Sequence, residues 1–121
     1  MNVIKIKEWV YNADIRIIIN CTPKRFSSYI KQCFGESYLP LKDGHFVVYD
    51  NGKKIVYLIW IKNFDWRIHE FALLGHEIFH CVHRIFNDLG ATLTDESEEL
   101  YANYYQYIYS EAISKIKDKL K

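Results

Sequence analysis

The chain is expected to fold as one α+β domain, a short sheet with a hairpin packed on two long C-terminal helices. Three features lead to this reading. A β-branched run, "ADIRIIIN" from Ala13 to Asn20, precedes a hairpin pattern, "HFVVYDNGKKIVYLIWI". From Asp65 onward, apolar residues recur at helical spacing in two long stretches. No segment has the composition of a linker, so the 121 residues read as one domain, 1–121, and the break near Asn63 divides layers within it.

The elements follow in order. Ala13–Asn20 is a strand because Ile15, Ile17, Ile18 and Ile19 favour extended backbone. "CTPKRFSSYIKQCFG" is a helix: Thr22 can cap it, Pro23 suits a first turn, and Gly35 can end it. Phe26, Tyr29, Ile30 and Cys33 then share one side. Asp50, Asn51 and Gly52 supply the turn of the hairpin. Its second strand is apolar on both faces, with Ile55, Tyr57, Ile59 and Ile61 alternating with Val56, Leu58 and Trp60. Such a strand is buried between a sheet and its helices, or walls an open cleft. The first long helix is expected from Asp65 to Asp88, with Gly90 as its stop. After the loop "GATLTDESEE", a second runs from Asp95 or Glu96 to the end, where Asp95 with Glu98 resembles a capping box.

Half of the residues are hydrophobic, enough for a core, and the formal charge of +1 offers no basic field for nucleic acid. Cys21, Cys33 and Cys81 are scattered, form no CxxC pair, and fit a reducing compartment. The first twenty residues carry charges throughout and no apolar core of a signal peptide. "IVYLIWI" is too short to span a membrane. A cytoplasmic location is the expectation.

The segment "FALLGHEIFHCVHRIF" carries the chemistry. Residues four apart on a helix project from one face, so His76 and His80 can place two imidazoles on one metal ion. Glu77 points about 100° around the axis from His76 and can reach a metal-bound water without ligating. Leu74, Ile78, Cys81, Val82, Ile85 and Leu89 form an apolar stripe beside a polar stripe of His76, His80, His83 and Asn87. Gly75 leaves room for a close approach. His83 lies on the ligand face but about 10 Å along the axis from His76, too far to share its ion. His45 and His69 belong to no pattern.

A catalytic zinc site takes three protein ligands and one water. "DESEELYANYYQY" offers the third. Glu99 shares a helical face with Ala102, Gln106 and Tyr109, and the small Ala102 would let two helices approach. Glu98 shares a face with Tyr101, Tyr105 and Ile108 and stays open as the alternative. Taken singly, each acid also suits the positive end of a helix dipole.

"HEIFH" followed by a glutamate at the start of the next helix resembles the gluzincin metallopeptidases. The small size, the strand–helix–hairpin preface and "GHEIFHCVHRIFNDLG…DESEELYANYYQYI" are similar to small metallopeptidases of bacteriophages and prophages. The resemblance is sharp from Ile68 to Ile108. It implies a zincin-like fold, zinc as cofactor on His76, His80 and Glu99, Glu77 as general base, and a peptide or protein substrate. Tyr105 and His83 are candidate oxyanion donors, and Ile55–Ile61 is the strand expected to hold an extended peptide. The competing readings are a zinc-binding structural or interaction domain without catalysis, and a metal-free interaction module.

Overall fold

A computed structural model of the chain describes residues 1–36 and 38–121. It contains the strands β1 (Asn2–Lys7), β2 (Asp14–Ile19), β3 (Gly44–Asp50) and β4 (Ile55–Ile61). The helices are α1 (Pro23–Phe34), α2 (Ile68–Asp88) and α3 (Glu98–Lys119). The four strands form one mixed sheet in the order β1-β2-β4-β3. β2 and β4 run parallel in register Ile17 with Ile59, and the other two pairings are antiparallel. The α+β class and the two long C-terminal helices are as expected. No helix among the described residues is long and apolar enough to cross a membrane.

The pleat of the central strands divides the core. Ile15, Ile17 and Ile19 of β2 and Tyr57, Ile59 and Ile61 of β4 face α2 and α3. Ile18, Val56, Leu58 and Trp60 face α1, meeting Phe26 and Ile30. This is why "IVYLIWI" is apolar on both faces: it is a central strand covered by helices on either side. Each fully buried side chain of this size contributes about 1.5–3 kcal/mol relative to exposure. Trp60 is sealed in, and its indole N–H donates to the Cys21 carbonyl at 3.2 Å.

That position corrects one expectation. β4 is paired on both sides and has no free backbone for a peptide. The sheet's edges are β1 and β3, and β3 is the one beside the histidines of α2.

β1 was not anticipated. Its signal is the alternation in "NVIKIK", where Ile4 and Ile6 are buried and Lys5 and Lys7 exposed. Just past it, the buried carboxylate of Glu8 accepts hydrogen bonds from the Val10 and Tyr11 amides and from the Tyr104 hydroxyl at 2.8 Å. This bond ties the end of β1 to α3. Burial and the bond to Glu8 push the Tyr104 phenol far up, so it stays a donor.

The caps of α1 are those expected. The Thr22 hydroxyl accepts from the Arg25 amide at 3.2 Å, and Gly35, at φ 76°, donates its N–H to Lys31 at 2.9 Å. α2 begins at Ile68 and not at Asp65, because Trp66 adopts φ 67°, a left-handed conformation that a helix cannot contain. α3 begins at Glu98. The reciprocal closure before it joins Thr94 and Ser97: each amide bonds the other's hydroxyl, at 2.9 and 3.3 Å. The pair Asp95 and Glu98 does not form the box.

Candidate functional site

Leu74, Ile78, Cys81, Val82 and Ile85 of α2 turn into the core, as their spacing requires. Leu89 does not join them; it is 51% exposed, and Phe86 takes the buried position at the helix end. His76, His80, His83 and Asn87 are exposed on the opposite side. Between these faces lies Glu77, only 5% exposed.

The side chains of His76, Glu77 and His80 come together. Their ligand atoms all lie within 4.8 Å of one another. The two Nε2 atoms are 3.2 Å apart. Two nitrogens on one tetrahedral zinc at 2.0–2.1 Å would be separated by about 3.3 Å, so the pair already has the spacing of a shared ion. The same distance suits a proton shared between two imidazoles. Glu77 adds the second observation. Among the described residues its carboxylate has no hydrogen-bond donor and no ion-pair partner. Its oxygens are not sealed in as Glu70 Oε2 is; they face the groove, where a cation or water can meet them. Two imidazoles at this spacing, with a carboxylate beside them to meet a bound water, therefore fit a zinc ion. Neither histidine Nδ1 has a protein partner among the described residues, so the ring orientation rests on helix geometry alone.

The group opens into a groove of about 350 Å³ between α2 and the segment leading into β3. Its far wall is Lys42, Asp43, Gly44, His45 and Phe46. A glycine stands at position 44 because α2 comes close: a Cβ there would lie 2.9 Å from Leu73 Cγ. His45 belongs to this wall, with Nε2 2.7 Å from the Tyr38 hydroxyl and its ring stacked on that tyrosine. Nothing in the sequence marks His45, because its place depends on which strand is the sheet edge.

α3 runs antiparallel to α2, and three tyrosines fix the register. Tyr101 meets His83 Nδ1 at 3.1 Å, Tyr105 donates to the Gly75 carbonyl at 3.0 Å, and Tyr109 donates to the Phe71 carbonyl at 3.1 Å. Burial raises all three phenols, so they remain protonated. Gly75 makes the contact possible, since a Cβ there would stand 3.0 Å from the Tyr105 hydroxyl. Tyr105 is thus committed to holding the helices together and does not line the groove. His83 is held by Tyr101 one turn beyond His80.

Glu98 and Glu99 are exposed in the first turn of α3. They precede Tyr101, so they lie alongside the C-terminal half of α2, and neither belongs to the three-residue group. The carboxylate that the fold does bring beside the histidine pair is Glu77.

No family model, curated protein or solved structure matches the chain.

Proposed function

We propose that the chain is a zinc-dependent hydrolase, a metallopeptidase of gluzincin type that cleaves a peptide amide. The observation that carries this reading is the buried, unpartnered Glu77 beside two imidazole nitrogens 3.2 Å apart, at the base of an open groove. When bound, zinc supplies Lewis-acid polarisation of a carbonyl and acidifies a water. His76 and His80 are the residues to hold it. Glu77 accepts a proton from the attacking water and returns it to the departing amine. The open edge of β3, whose first residues wall the groove, offers backbone N–H and C=O groups to an extended peptide. The wall also keeps the amide close to Glu77. A closed structural zinc site would need four protein ligands and no base. The exposure of both histidines and the open groove favour the catalytic alternative.

The activity test is direct. Zinc-reconstituted protein incubated with a diverse peptide library should give cleavage products by mass spectrometry. A chelator should abolish them, and added zinc should restore them. Cleavage that persists in chelator would overturn the metal's role. An absence of products from zinc-bearing protein would turn the reading to a non-catalytic zinc domain.

Glu99 completes the ligand set on this proposal, with Glu98 as the alternative. Glu99→Gln is expected to weaken zinc binding at least tenfold, and Glu98→Gln to leave it within twofold. Affinity measured by chelator competition decides the matter. A loss at Glu98 alone would transfer the role to that residue. No loss at either would remove α3 from the site.

A further inference from the structure

His76 borders two depressions. One is the groove toward β3. The other is an open hollow of about 500 Å³ between α2 and α3. Ile68, Phe71, Ala72 and Gly75 line it from α2, and Tyr105 and Tyr109 from α3. Ala72 lies four residues before His76, so the two share a face of α2, about 6 Å apart along its axis. A peptide held at the histidine pair therefore has the hollow within reach of one side chain.

The lining is apolar and offers a guest no polar partner. No acid, lysine or arginine belongs to it. Both tyrosine hydroxyls are already spent, Tyr105 on the Gly75 carbonyl at 3.0 Å and Tyr109 on the Phe71 carbonyl at 3.1 Å. Their rings are stacked, with centroids 6.0 Å apart. A charged group placed here would lose hydration and gain no bond in return. An aromatic or large aliphatic group would gain apolar contact at no such cost.

The shape is set by α2. Gly75 lets both rings down onto the helix: a Cβ there would stand 3.0 Å from the Tyr105 hydroxyl oxygen and 3.2 Å from Tyr109 Cε2. Ala72 is small and exposed, which leaves the floor open. Phe71 is braced by Phe64 and Trp66, with ring centroids at 5.6 and 5.7 Å. Trp66 holds that place at φ 67°, a costly conformation for so bulky a residue. Ile68, in the first turn of α2, is 89% exposed. It adds nothing to the core and extends the apolar surface at the rim.

We infer that the hollow is a specificity pocket: it takes the side chain of an aromatic or large aliphatic residue flanking the cleaved amide, so the substrates are peptides that are apolar at that position. The inference rests on the hydrolase reading, and its test therefore includes one probe that needs no metal. N-acetyl-phenylalanine amide, titrated against the zinc-free full chain by amide NMR, should give saturable shifts at residues 68–76 and 105–109. N-acetyl-aspartate amide should give none there. On the zinc-loaded chain, 3-phenylpropanohydroxamic acid should bind at least about tenfold tighter than acetohydroxamic acid, the gain expected from burying one phenyl group. Ala72→Glu, a change at an exposed helical position, should abolish both the shifts and that preference. Ile68→Ala should reduce the preference. Leu100→Ala, an exposed apolar change outside the hollow, should leave both as they are. A chain that takes up no zinc would sink the metal reading, and the phenylalanine probe alone would then decide on the hollow. Shifts centred elsewhere, equal affinity of the two hydroxamates in zinc-bearing protein, or an equal effect of Leu100→Ala would overturn the inference.

Discussion

Replacing Glu77 with glutamine is expected to lower peptide hydrolysis by about a hundred- to ten-thousandfold, the range that one positioned general base contributes. The change keeps shape and volume and removes only the basic oxygen. Glu77 is 5% exposed and has no protein partner among the described residues, so the substitution breaks no bond in the fold. Removing an unpaired carboxylate that faces the groove should leave stability unchanged or slightly higher. Zinc content should not change. Turnover, metal content and thermal unfolding are to be measured on the same preparation. Near-native turnover would refute the base assignment. Loss of zinc would make Glu77 a ligand, which its position within 4.8 Å of both imidazole nitrogens allows.

His80→Ala is expected to weaken zinc binding by more than a hundredfold. Altering groups that only orient a ligand typically costs about 10–100-fold, so removing a ligand outright must cost more. His80 is exposed and contributes nothing to the core, so the helix content should be retained in circular dichroism. His83→Ala is the matched control: the same residue type one turn on, bonded to Tyr101 and outside the metal group. Affinity within threefold of native for His80→Ala, or an equal loss for His83→Ala, would contradict the assignment.

Much of this architecture was legible before the fold was seen, and the exceptions share a cause. Local signals held. Thr22, Pro23 and Gly35 bounded α1 through chemistry confined to a few residues. The histidine pair followed from helix periodicity alone. Non-local facts did not show. The two apolar faces of β4 announced burial, but only the strand order makes β3 an edge beside α2. Gly44 and His45 therefore enter the groove with no marking of their own in the sequence. The start of α2 was misjudged by three residues because the left-handed turn at Trp66 is set by packing: its ring meets Phe64 and Phe71. Glu99 illustrates the limit of phase arguments. Its helical face was readable, yet its relation to His76 depends on the register of α3 against α2, which three tyrosine hydroxyls fix across 18 to 38 residues of chain.

The claim on which the rest stands is that His76 and His80 hold one zinc ion. Elemental analysis of the purified chain, as isolated and after zinc reconstitution and dialysis, tests it most directly. The account predicts about one zinc per chain in the reconstituted protein, and its loss when His76 and His80 are both replaced by alanine, in line with the two-imidazole requirement of the site. Less than about a tenth of an equivalent in both native samples, or an undiminished content in the double variant, would contradict it, since two of the three protein ligands would then be irrelevant to any metal present.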